Sequence, residues 1–247
     1  METTGANVNP AQQPQTPAAK AEPVKPPKAV PPPEFQSESI DKLTPADLVN
    51  VLKNPSATTF QKAKACQRLA SVGTKEAVPA LTALLAHPQL SVYARYSLEP
   101  IADPSADEAL RSALPRVTGK LRVGVINSIG HRGDAAAVSA LSRLLYAPDT
   151  EAAQAAAAAL GKISGVPAAN ALRTALASTK DPVRKAVAAA GLVCAEGLLA
   201  QGSRAEALSL YDTLTRTTIP KPVRLAAMHG VIAAETSLAR PRQAPAK

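Results

Sequence analysis

Apolar residues recur at intervals of three and four along most of this chain. Val78, Leu81 and Leu85 form one such stripe, and Val138, Leu141 and Leu145 repeat it. That spacing is one face of an α-helix. Segments of a second kind carry the same period in smaller residues: Ala152, Ala156, Leu160 and Ile163 in one, Val183, Val187, Ala190 and Cys194 in another. The pattern also copies itself. AVPALTALL at 77–85 returns as AVSALSRLL at 137–145, an offset of 60, and EALRSAL at 108–114 returns as NALRTAL at 170–176, an offset of 62. Each offset holds two units of about 30 residues, a period that belongs to stacked helix pairs rather than to a single-core globule.

The parse gives six helix pairs, at 44–73, 74–103, 104–132, 133–164, 165–201 and 202–237. Thr44-Pro45, Asp103-Pro104 and Asp181-Pro182 each place a capping side chain before a proline suited to the first helical turn. Gly73, Gly130, Gly165 and Gly202 are read as stops. Pro100 falls late in the second helix of its pair, where a proline ends or kinks a helix, so that pair is expected to be the least regular. The fold class is therefore all-α: a right-handed solenoid over 42–238, preceded by a tail over 1–41 and followed by another over 239–247. The first tail holds nine prolines and little to bury, which reads as a disordered, partly polyproline II tether. The last residues read as a frayed end.

Composition narrows the picture. The chain has 46% apolar residues but no Trp, only Phe35 and Phe60, and only Tyr93, Tyr96, Tyr146 and Tyr211 as tyrosines. A core of Ala, Leu and Val favours closely stacked helices. Net charge is +9, with Lys20, Lys25, Lys28, Arg240, Arg242 and Lys247 in the tails, so the folded part is only moderately basic. Cys66 and Cys194 lie within helical segments about four units apart, too far for a disulfide, and read as small buried hydrophobes. No run of 18 apolar residues is present, and the N-terminus lacks a basic start with an apolar stretch. As written the chain points to the cytoplasm, or to an exported location if a signal has been removed.

DPVRKAVAAAGL at 181–192, DTEAAQAAAAALGKI at 149–163 and KPVRLAAMHGVIAAE at 221–235 resemble the second helix of HEAT repeats, in particular the short bacterial kind related to phycobilisome-lyase repeats. The resemblance covers 44–237. Within it, YARYSLEPIADPSADEALRSAL followed by KLRVGVINSIGHRGDAAAVSAL looks like bacterial HEAT proteins that are commonly exported and fused to other domains. It implies an armadillo-type α-solenoid with a binding or scaffold role, and it transfers no catalytic motif.

One basic position recurs near the start of the second helices, at Lys62, Arg95, Arg122, Arg184 and Arg224, with Gln154 the exception. In HEAT-like units this position usually joins a ladder with an acid about three residues earlier. That acid is present as Asp181 before Arg184, whereas Thr59, Val92, Gly119 and Lys221 stand at the other places. Two readings stay open. The cations pair with carboxylates elsewhere, for instance Glu99 or Asp149, or cap carbonyls, and organise the stack, or they line the inner wall and hold an anionic partner. Tyr93 and Tyr96 flank Arg95 and are the aromatics placed to contact a partner or a base, unless they pack on the neighbouring unit.

Other motifs are weak. Arg132-Gly133-Asp134 spells an adhesion tripeptide, but Asp134 stands where it would cap the next helix. His87, His131 and His229 have no partner at metal-ligand spacing. GxSxG, GxxxxGK and GxGxxG are absent. The reading is a non-catalytic protein-interaction or scaffold module with no cofactor or metal. Its candidate contacts are Lys62, Tyr93, Arg95, Tyr96, Arg122, Arg184 and Arg224. The alternatives are an anion-binding module for nucleic acid or acidic polysaccharide, separable by salt dependence, and an accessory, lyase-like domain of an enzyme system.

Overall fold

A computed structural model describes residues 40–236. The tether assigned to 1–41 lies outside them except for its last two residues, and the tail over 239–247 lies outside them entirely. Ile40–Lys42 forms a 3-10 turn whose Ile40 is buried against the first pair. Twelve α-helices follow: α1 Pro45–Lys53, α2 Thr59–Val72, α3 Val78–Ala83, α4 Ser91–Leu98, α5 Pro104–Ala113, α6 Gly119–Arg132, α7 Val138–Leu144, α8 Thr150–Ile163, α9 Gly165–Ser178, α10 Val183–Ala200, α11 Arg204–Arg216 and α12 Lys221–Thr236. Among the described residues there is no strand. Taken two at a time, the helices fall within the six spans that the hydrophobic period marks out.

Successive second helices touch in a row: α2 with α4, α4 with α6, α6 with α8, α8 with α10 and α10 with α12. First helices meet their counterparts on the other side, as α3 meets α5 and α9 meets α11. The core runs continuously between the two rows, from Leu48 through Leu81, Leu110, Leu141 and Leu172 to Leu210. This is a solenoid, in which each unit buries its apolar face only by stacking on its neighbours.

Local signals explain most boundaries. Thr44 caps α1 by accepting from the amide of Asp47, and Asp103 caps α5 by accepting from that of Ser105. Thr58 and Gln61 form a capping box at α2. The second pair is the short one: α3 has 6 residues and α4 has 8, and α4 closes at Glu99 just before Pro100.

Three sequence expectations are corrected. Asp181 is not a cap: α10 begins at Val183 with Pro182 before it, and Asp181 instead pairs with Lys185 at 2.9 Å across one turn. Gly130 does not stop α6, which runs to Arg132 and ends on Gly133 in the left-handed region. A Cβ at Gly130 would lie 2.7 Å from the Ala159 Cα, so this glycine serves the close approach of α6 to α8. Gly165 opens α9 rather than closing α8, because Ser164 alone connects the two helices.

Candidate interaction surface

The wall of second helices carries the basic row, and the structure divides its members by what their side chains do. Arg95 reaches from α4 to α6, where its guanidinium donates to the Gly124 carbonyl and to the Ser128 hydroxyl, each at 3.1 Å. Ser128 in turn donates to Glu99 at 2.7 Å. A Cβ at Gly124 would lie 2.7 Å from the guanidinium carbon, so the glycine makes the seat. Burial lowers the Arg95 pKa, and the Glu99 carboxylate opposes that shift. Arg122 turns back within its own unit, its Nε donating to the Val117 carbonyl at 2.8 Å. Arg184 reaches the Ala177 carbonyl at 3.4 Å, and it forms no ion pair with Asp181, whose partner is Lys185. Among the described residues Lys62 and Arg224 have no side-chain partner; Lys62 is half-buried and Arg224 exposed. The row is thus neither a continuous ladder nor a continuous line of free cations. Of the carboxylates weighed as partners, Glu99 joins the Arg95 network, while Asp149 caps α8 through the Ala152 amide at 3.1 Å.

The two tyrosines on α4 also separate. Tyr93 is half-buried against the core, whereas Tyr96 is 61% exposed. Tyr96 borders an open cleft of about 230 Å³ whose other walls are Ala70 and Ser71 from α2, Glu99 and Pro100 after α4, and His131 near the end of α6. Val92, one turn earlier on α4, is likewise exposed. Of these, the sequence marked Glu99, Pro100 and His131 in other respects and Ser71 not at all, and it offered none of the four as a contact residue. They come from three units and share a cleft only once the second helices are stacked.

The strongest polar constellation is one that the row does not contain. Arg132, at the end of α6, has a side chain only 7% exposed. It grips Asp107 of α5 through Nε at 2.5 Å and Nη2 at 3.0 Å. Its Nη1 lies within hydrogen-bond reach of the carbonyls of Leu98, Glu99 and Ile101, at 2.9, 2.8 and 2.6 Å. These carbonyls lie where α4 ends: Leu98 also accepts from the Ile101 amide, and the guanidinium satisfies those of Glu99 and Ile101. Asp134 accepts from the Ala136 amide and pairs with Arg111 at 2.6 Å, and it is itself buried. The RGD tripeptide is therefore consumed inside the stack.

Cys66 and Cys194 are free and fully buried, and burial pushes their thiols up to about 12 and about 11. His87 accepts from the amides of Gln89 and Leu90 at the start of α4. Among the described residues no group of His, Cys, Asp and Glu is placed to hold a metal, and no helix is long and apolar enough to cross a membrane.

Stacked antiparallel pairs with a wall of second helices define an α-solenoid of the repeat class. Residues 108–193, from α5 into α10, match the family model of HEAT repeats. Over those residues the chain carries HEAT repeats. No curated protein matches it in sequence. Among solved structures it is similar to an engineered protein, with 21% identity and a TM-score of 0.45, covering 77% of this chain and 58% of that one. It thus spans little more than half of that protein. It is also similar to the complex of CpcE and CpcF of phycocyanin lyase from Nostoc sp. PCC7120, with 18% identity and a TM-score of 0.42, covering 81% of this chain and 87% of that one. Human deoxyhypusine hydroxylase matches with 20% identity and a TM-score of 0.40, covering 77% of this chain and 73% of that one.

Proposed function

We propose that the protein is a non-catalytic interaction module that holds a protein partner along its wall of second helices, with the α4 segment as anchor. The observation that carries this reading is Tyr96, a 61% exposed tyrosine beside an open cleft, on a helix whose Ser91, Ala94, Ser97 and Leu98 are buried. A large amphipathic ring at the edge of a concavity is the kind of side chain that dominates binding energy at protein interfaces. Val92 extends the same patch, and Glu99 and His131 supply a polar rim.

The disposition of the cations favours a protein over a polyanion. Arg95, Arg122 and Arg184 direct donors to backbone carbonyls. Phosphate recognition needs guanidinium and ammonium groups free to pair with oxyanions. Of the row, Lys62 and Arg224 alone lack a side-chain partner among the described residues, and they stand on α2 and α12, at opposite ends of the stack.

The test is affinity capture by the full chain in low and high salt, beside Val92→Glu/Tyr96→Glu and Lys62→Glu/Arg224→Glu variants. The reading expects a protein retained in high salt, with at least about tenfold weaker binding to the first variant and unchanged binding to the second. Capture of nucleic acid or acidic polymer alone, only in low salt and only without the Lys62 and Arg224 changes, would overturn it.

A further inference from the structure

The last described helix carries a face that nothing among the described residues covers. On α12 the buried side is narrow: Ala227 and Ala234 are enclosed, Val223 and Val231 are partly so, and Gly230 lies under the Tyr211 ring, where a Cβ would come within 2.5 Å. At 100° per residue, Leu225, Met228 and Ile232 project to the opposite side. They are 45%, 48% and 58% exposed, three of the eight large hydrophobic residues exposed among those described. Apolar side chains exposed together on one helix face mark a contact surface.

Charge frames the stripe in a particular way. Arg224 lies on its N-terminal edge and Glu235 on its C-terminal edge, and both are exposed. Neither has a side-chain partner among the described residues. The two are about 16 Å apart along the helix axis at 1.5 Å per residue. The midpoint between them falls within one residue of the midpoint between Leu225 and Ile232. A surface with an apolar centre, a cation at one end and an anion at the other is complementary to itself turned end for end.

We propose that this face pairs two copies of the chain, α12 against α12 and antiparallel, about a two-fold axis passing near Met228. In that arrangement Leu225 packs on the partner subunit's Ile232, and Arg224 meets the partner subunit's Glu235 at both ends. A parallel pairing would set Arg224 against the partner subunit's Arg224. The contact is isologous and closes on itself, so it yields a dimer and not a fibre. The sequence after α12, SLARPRQAPAK at 237–247, offers no matching stripe: Leu238 is its one large apolar residue, and Pro241 and Pro245 interrupt it. A single helix pair is small beside standard interfaces, so the dimer forms at raised concentration.

Sedimentation of the full chain over a concentration series tests this. The expected result is a monomer–dimer equilibrium that Met228→Lys/Ile232→Lys converts to monomer with helical circular dichroism unchanged. Arg224→Glu alone and Glu235→Arg alone weaken it severalfold, and the two together restore parental association. A chain monomeric at every concentration, whether because its own flanking residues cover α12 or for any other cause, overturns the proposal. So does a dimer indifferent to the two lysines, or one that the double charge reversal fails to restore. Should a variant lose helicity, Met228→Cys decides: the native thiols are buried, so disulfide-linked dimer under mild oxidation supports the pairing, and its absence refutes it.

Discussion

At the scale of single residues, Arg132 does more for this protein than any member of the basic row. Its guanidinium joins three elements, taking the carboxylate of Asp107 on α5 and the carbonyls where α4 ends. With 7% of the side chain exposed, solvent cannot replace those bonds. Substituting methionine, of similar length but no charge, leaves Asp107 unpaired and the Glu99 and Ile101 carbonyls without the donor they have in the parent. The cost of breaking such a buried pair is about 3 kcal/mol or more. Arg132→Met is therefore expected to unfold at clearly lower denaturant concentration than the parent, measured by circular dichroism, while Arg184→Met, which gives up one bond of 3.4 Å, changes little. An equal effect from the two would mean that the Arg132 network is not what holds the junction.

At the scale of elements, glycines decide how close the second helices come. A Cβ at Gly130 would meet Ala159 at 2.7 Å, and one at Gly161 would meet the Ala190 carbonyl oxygen at 2.8 Å. Alanine gains about 1 kcal/mol over glycine in a helix interior, but forcing two backbones apart costs about 1–3 kcal/mol. Because the nearest atoms are backbone or Cβ and cannot swing away, the second term wins. Gly130→Ala should destabilise the protein, whereas Gly119→Ala, with open space around its Cβ, is penalised only through its positive φ of 52°. Thermal denaturation of both variants checks the order. The same glycines show what the sequence could and could not reveal. The stripes at Val78, Leu81 and Leu85 declare their helices because the period is local. The role of Gly130 is set by Ala159 in the next unit, so the sequence reads as a helix stop. The cleft at Tyr96 and the grip of Arg132 likewise join residues from different units, which no spacing in one helix announces. The basic row was visible as a repeat. Whether each cation is spent or free depends on which carbonyl comes within reach after stacking.

At the scale of the whole molecule, stability in a solenoid is close to a sum of units and their junctions. The described units are unequal. Helix α8 touches α6, α7, α9 and α10, and nine of its residues are buried, whereas α12 buries two. The second pair has the shortest helices, so its hold on the third depends heavily on the contacts that cross between them, those of Arg95 and Arg132. Amide hydrogen exchange in dilute protein should accordingly find its slowest sites in α8 and its fastest helical sites in α12, with protection falling outward from the middle of the stack. In Arg132→Met the loss should be directional: α1 through α4 lose protection because their junction with α5 and α6 is cut, while α8 and α10, to which Arg132 makes no hydrogen bond, keep theirs. Uniform loss along all twelve helices would instead make the chain one cooperative block, and the nearest-neighbour account of its stability would fail with it.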